Sequence, residues 1–201
     1  MNDQVTREET AEILHFAEQC LGLEGDFVEL GCYRGDTSVL LGKLLAKTDK
    51  HLWIYDSFEG LPEKTREDAS GAGANFQKGE LFVTKREVVD KLRKHGLKTA
   101  SRPDPNTSSV VIKKAWFDDL SSQDLPERIA FAFCDGDLYG SIKTSLRLVV
   151  PRLIERGIVI VHDYNNPELP GSAQAVDEFL RTHPDFCLKI HYTLAILTKK
   201  C

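Results

Sequence analysis

The chain has 201 residues, 41% of them apolar and 28% charged, an ordinary globular mixture long enough for one domain with a real core. A net charge of −5 gives no electrostatic case for nucleic acid, no apolar run is long enough to span a membrane, and no charged-then-apolar leader opens the chain. Cys20, Cys32, Cys134, Cys187 and Cys201 are scattered without a C-x-x-C pair, which reads as reduced thiols in a cytoplasmic protein.

Residues 6–21 predict a helix. Thr6 with Glu9 is a capping-box pair. Ala11, Leu14, Ala17 and Leu21, with Ile13 and Phe16 beside them, form an apolar stripe. Such a helix packs on a sheet edge, or covers a cofactor or an oligomer interface. Residues 25–38, GDFVELGCYRGDTS, are the stretch around which the chain is organised. Phe27-Val28-Glu29-Leu30 suits one buried strand. The chain breaks at Gly31, carries a second glycine at Gly35, and enters a helix over 39–45 that Asp36, Thr37 or Ser38 can cap. Strand, glycine turn and helix N-terminus together admit a ligand close to the backbone. The Gly31-x-x-x-Gly35 spacing differs from a dinucleotide fingerprint. Glu29, two residues before the first glycine, is useless to a pyrophosphate but accepts the ammonium of an amino-acid cofactor. An ordinary α/β turn is the alternative. The pattern resembles the first motif of S-adenosylmethionine-dependent methyltransferases.

A second strand, 51–55, ends at Asp56, where an acid grips both ribose hydroxyls or caps a turn. Residues 62–83, and 63–79 above all, are polar and poor in periodicity, which predicts a mobile lid or simple disorder. A charged helix is expected over 84–95, with Val88, Val89 and Leu92 inward and Gly96 as its stop. Residues 98–109 read as an inserted surface loop, followed by a strand at 110–112. Trp116 and Phe117 come next, as walls for an adenine or as core.

Residues 129–134 are a near-continuous apolar run, a strand buried on both faces, ending in Asp135-Gly136-Asp137-Leu138-Tyr139. A helix over 141–153, capped by Ser141 and stopped near Gly157, leads to a strand at 158–161 that ends in His162-Asp163-Tyr164. Asp135, Asp137 and Asp163 thus converge at two strand ends, where ligands bind in open α/β sheets. They would repel without a cation, and hard oxygen ligands suit Mg²⁺ or Mn²⁺. The alternative is that they cap helices and bind water. A helix over 173–182 and strands at 186–191 and 192–198 complete an α/β fold. The last two resemble the antiparallel hairpin that closes a seven-stranded methyltransferase sheet, and that resemblance implies a doubly wound, mostly parallel, Rossmann-like sheet with an antiparallel C-terminal strand.

The string D-S-F-E-G-L-P at 56–62, the D-G-D-x-Y at 135–139, Pro151-Arg152-Leu153, His162-Asp163-Tyr164 and Pro170-Gly171 with Ala175, Val176 and Phe179 resemble the macrocin O-methyltransferase family. The resemblance runs from about Gly25 to Phe179. It implies a class I methyltransferase that uses S-adenosylmethionine and Mg²⁺ to methylate a hydroxyl of a small molecule, a sugar or natural-product glycoside among them. It places the cofactor on Glu29, Gly31, Tyr33, Gly35, Thr37, Ser38, Asp56, Ser57, Phe58, Phe117 and Asp135, and the metal on Asp135, His162 and Asp163. Asp137 is the expected base and His162 the second candidate. The family's D-D-Y is His162-Asp163-Tyr164 here. Imidazole is a poor Mg²⁺ ligand, so either the metal differs or His162 acts as a base in a metal-free reaction. A non-catalytic cofactor-binding partner subunit is the remaining alternative. The family's long N-terminal extension has no counterpart, which leaves the acceptor and any homo-oligomer open.

Overall fold

The computed structural model describes residues 4–69, 76–104 and 107–200. In chain order they form α1 (Arg7–Gln19), β1 (Asp26–Leu30), α2 (Asp36–Leu45), β2 (Leu52–Asp56), α3 (Lys85–Lys94), β3 (Thr99–Ala100), β4 (Val110–Lys114), β5 (Ile129–Cys134), α4 (Tyr139–Val149), β6 (Leu153–Val161), α5 (Pro170–Thr182), β7 (Phe186–His191) and β8 (Leu194–Lys199). One sheet runs β3-β4-β2-β1-β5-β6-β8-β7, with β8 the strand that opposes its neighbours. Strand order reverses between β1 and β5, so a crevice opens above their C-terminal ends.

Seven of these strands match the expectation. The eighth, β3, lies inside the segment read as a loop: Thr99 and Ala100 pair in parallel with Val110 and Val111 at the sheet edge. Two residues are too few to show a period, so composition alone reads as loop. Residues 105 and 106 of that segment, 70–75 of the expected lid, and Cys201 lie outside the described residues.

Both sheet faces are covered, which is why the central strands read as continuous apolar runs. On one face Ile13 and Phe16 of α1, Val39 and Leu41 of α2 and Val88 and Leu92 of α3 pack on Phe27, Ile54, Phe131, Phe133 and Ile160. On the other, Ile142 and Leu146 of α4 and Ala175 and Val176 of α5 pack on Val28, Leu30, Ala132, Val159 and Leu197. The Thr6–Glu9 capping box forms as expected, but the buried stripe of α1 is Ile13, Phe16, Ala17 and Cys20, while Ala11 stays exposed.

Three expected details change. The cap of α2 is Gly35 in the left-handed region, with no side-chain cap, because Ser38 bonds Glu29 instead. The α4 helix starts at Tyr139 rather than Ser141, and its Tyr139 N–H donates to Asp68 Oδ1 at 2.7 Å, a cap supplied from 71 residues away. It stops at Val149 because Pro151 cannot continue an α-helix, and β6 begins at Leu153 with a bulge: Ile129 pairs with Leu153 and Phe131 with Ile158.

Candidate active site

Each strand ladder continues one residue past its strand, which fixes the exits in register. Gly31 N–H donates to Tyr55 O, Asp135 N–H to Leu30 O and His162 N–H to Cys134 O, at 2.8–3.0 Å. A Cβ on Gly31 would come within 1.8 Å of Asp135 O, so β1 and β5 leave the sheet together only with glycine there. Tyr33, Phe58, Asp137 and Asp163 all adopt positive φ, between 43° and 60°, immediately after strand ends. Such conformations cost about 1–3 kcal/mol each and cluster at functional sites.

A cleft of about 220 Å³ opens here. Of the expected cofactor residues, Gly31, Tyr33, Asp56, Ser57, Phe117 and Asp135 line it, as does Asp137. Trp116 lines it with Phe117, so this aromatic pair is wall rather than closed core. Ser141 and Thr144, at the start of α4, were not anticipated, and neither were Leu61 and Leu81. Glu29, Gly35, Thr37, Ser38 and Phe58 stand behind the wall rather than on it. Glu29 is 1% exposed and accepts a hydrogen bond from Ser38 Oγ at 2.5 Å. Burial raises Glu29 to about 8, with Ser38 opposing the rise and Asp135 and Asp56 adding to it.

Asp56 is committed to backbone. Its Oδ2 accepts from the N–H of Cys32 at 2.9 Å and Tyr33 at 3.3 Å, and its Oδ1 from Phe58 N–H at 2.7 Å. It therefore ties the end of β2 to the glycine turn after β1 and keeps only part of its acceptor capacity for a ligand.

The second half of the site surrounds His162, which is 4% exposed. Its Nδ1 lies 3.0 Å from Asp135 Oδ1 and 3.0 Å from Asp163 Oδ2, and its Nε2 lies 3.7 Å from Glu9 Oε2. Asp163 also accepts from Asn166 Nδ2 at 2.7 Å. Burial acts to lower the imidazole, but Asp135, Asp163 and Glu9 outweigh it and hold His162 well above its ordinary range. His162 lies off the cleft wall, beside Asp135 and Asp163. Asp137 has the opposite setting. It lines the cleft, takes no hydrogen bond or ion pair from the described residues, and leaves the capping of α4 to Asp68. Burial, then the charges of Asp135 and Asp163, push its carboxyl up.

Sequence reasoning did not foresee Glu9 at this site. Its capping-box signal was legible, but the contact with His162 joins residues far apart in the chain. Asp68 was hidden in the same way inside the expected lid.

The family model for macrocin O-methyltransferase (TylF) matches residues 11–187. The chain belongs to the macrocin O-methyltransferase family. A tetracenomycin-C-derivative rhamnosyl 4'-O-methyltransferase of Streptomyces olivaceus is 31% identical over 150 residues, 71% of this chain and 54% of that protein. The mycinamicin III 3''-O-methyltransferase of Micromonospora griseorubida is 28% identical over 179 residues, 84% of this chain and 66% of that protein. The chain thus spans between about half and two thirds of the length of the curated relatives it matches. Among solved structures, the O-methyltransferase NovP superposes with a TM-score of 0.76 at 25% identity, covering 96% of this chain and 81% of NovP. A calicheamicin methyltransferase, CalS11, shares the fold at a TM-score of 0.75 and 21% identity, over 96% and 80% of the two chains. Among the described residues no helix is long and apolar enough to cross a membrane.

Proposed function

We propose that this macrocin-type chain transfers a methyl group from S-adenosylmethionine to a hydroxyl of a small glycosylated acceptor, with a divalent cation at Asp135, His162 and Asp163. The observation that carries this reading is the convergence of those three side chains beside a cleft into which the unpartnered Asp137 faces. One ligand atom from each lies within 4.8 Å of the others, and two carboxylates with an imidazole are a donor set that fits a divalent cation. The relatives' named activities on antibiotic glycosides support the acceptor class.

In this reading the backbone of Gly31 and Tyr33 and the Asp135 carboxylate receive the methionyl part. Glu29 and Ser38 support that turn from beneath, Gly35 and Thr37 open the helix behind it, and Phe58 anchors it in the core. Asp56 and Ser57 face the ribose, and Trp116 and Phe117 flank the adenine. Glu63 and Thr65, at the start of residues 63–79, line the cleft and in this reading face the acceptor. The carbon–sulfur bond breaks as the carbon–oxygen bond forms. The sulfur keeps the electron pair, and the acceptor's proton passes to Asp137. A bound cation supplies positive charge that makes the hydroxyl more acidic and offsets the crowded carboxylates.

The test is methyl transfer from labelled S-adenosylmethionine to a panel of glycosylated hydroxyl acceptors, with chelator and with metal restored. Transfer lost on chelation and regained with metal is the expected result. Transfer indifferent to chelator overturns the cation, and no cofactor binding overturns the whole reading.

A further inference from the structure

We propose that Glu9 and His162 act as a pair that makes the cation site prefer a nitrogen-accepting divalent metal such as Mn²⁺ over Mg²⁺, Glu9 being the residue that orients the imidazole. The inference rests on the proposed cation at Asp135, His162 and Asp163 and adds to it the metal's class and a positioning residue on α1.

The two ring nitrogens of His162 have different surroundings. Nδ1 faces the gap between Asp135 and Asp163, 3.0 Å from an oxygen of each, and is the atom a cation held by those aspartates would meet. Nε2 points the other way, to the Glu9 carboxylate at 3.7 Å. A carboxylate behind the far nitrogen of a metal-bound histidine fixes its tautomer and ring direction and raises its basicity.

Glu9 is itself immobilised from both ends of the chain. Its Oε2 accepts from Thr6 N–H at 2.9 Å and Thr6 Oγ1 at 2.7 Å, and its Oε1 from Thr193 Oγ1 at 2.5 Å and Thr193 N–H at 3.3 Å. Burial alone would raise its carboxyl, yet the hydrogen bonds around it keep it ionised, and it is 2% exposed. The imidazole is equally confined. Its backbone N–H is held by Cys134 O, its carbonyl accepts from Ser172 Oγ at 2.8 Å, and Phe133 lies beside the ring. A capping box needs none of this: Thr84–Glu87 caps α3 with the same bonds on an exposed surface.

Mg²⁺ takes oxygen ligands in near-ideal octahedra and binds imidazole poorly, whereas Mn²⁺ and its heavier neighbours accept imidazole nitrogen readily. Two aspartates with one histidine therefore shift the preference along that series.

The experiment is equilibrium titration of the whole chain, loaded with S-adenosylhomocysteine, by MnCl₂ and MgCl₂ separately, with pulsed electron paramagnetic resonance of the Mn²⁺ form. The expected result is Mn²⁺ binding at least about tenfold tighter than Mg²⁺, with nitrogen-14 coupling from a bound imidazole. His162→Asp should lose the coupling and bring the two affinities together. Glu9→Gln should weaken Mn²⁺ binding about tenfold or more while Mg²⁺ changes little. Ala11→Gly weakens α1 at an exposed position without touching Glu9 or its partners and should leave the metal ratio alone, which separates orientation of the ring from stability of α1. Mn²⁺ bound without nitrogen coupling, or with no preference over Mg²⁺, overturns this inference and leaves the cation itself standing. Failure of both metals to bind overturns both.

Discussion

The two halves of the cleft satisfy their carboxylates in opposite ways. At the end of β2, Asp56 accepts three backbone N–H groups from its own turn and the one beside it. At the ends of β5 and β6, Asp135, Asp163 and Glu9 share one histidine, and Asp137 has no partner among the described residues. The first half is complete as folded and holds a shape. The second is crowded with like charge, which in the proposed function a cation and a substrate would offset. In the proposed function that difference gives shape and affinity to the β1–β2 side and reactivity to the β5–β6 side, a division that single substitutions can test.

The largest effect is expected at Asp137. Asp137→Asn keeps size and hydrogen-bonding capacity but cannot take the acceptor's proton, so turnover should fall by about 10²–10⁴-fold. Cofactor affinity by calorimetry should be unchanged. Equal loss of affinity and turnover would move Asp137 to the shape-holding half. Gly31→Ala tests the seam between the halves. Its Cβ would meet Asp135 O at 1.8 Å with φ at +88°, so the β1 and β5 exits must part. Destabilisation on the order of 3 kcal/mol or more is expected, read as a fall in the denaturant midpoint. A variant with wild-type stability would show the seam to be pliable.

Asp56→Ala comes next. Freeing three N–H groups and losing an acceptor for the ribose should weaken cofactor binding by about 1.5–3 kcal/mol. Because the same carboxylate holds the glycine turn, Asp56→Asn, which retains one acceptor oxygen, should recover part of the loss. Identical affinities in both variants and the parent protein would remove Asp56 from the cofactor site.

How far the chain could be read without coordinates follows the same division. The glycine turn, Asp56 and the paired acids were legible because each is a short string at a strand end, and the doubly wound order followed from alternating apolar runs and helices together with the methyltransferase resemblance. The limits lay where partners are distant or signals short. Asp68 caps α4 from 71 residues away. Glu9 meets His162 across most of the chain, and β3 is two residues long. Asp56 stands at the end of its strand as expected, but its commitment to Cys32, Tyr33 and Phe58 was not foreseen, since backbone partners across a fold leave no mark in composition.

Glu29 gives the smallest and most discriminating test, because it belongs to the shape-holding half yet is a buried acid. Its folded value is about 8 against 4.5 as the ordinary carboxyl value, so between those limits the folded chain keeps a proton that the unfolded chain has lost. Its stabilising contribution is therefore full below about pH 4.5, declines as pH rises, and is gone above about 8. Glu29→Gln cannot ionise and lacks that slope. Melting temperatures of the two proteins across pH 5–8 should diverge by a few degrees in favour of the variant as pH rises, other titrating groups cancelling in the difference. Cofactor affinity should move the other way. The ammonium of S-adenosylmethionine favours an ionised Glu29 near the turn, so Gln should bind it more weakly, and saturating cofactor should flatten the parent protein's slope. A variant more stable at neutral pH but poorer in cofactor binding would show that the buried acid is kept for the ligand at a cost to the fold. Parallel melting curves, with and without cofactor, would instead make Glu29 a structural partner of Ser38 alone.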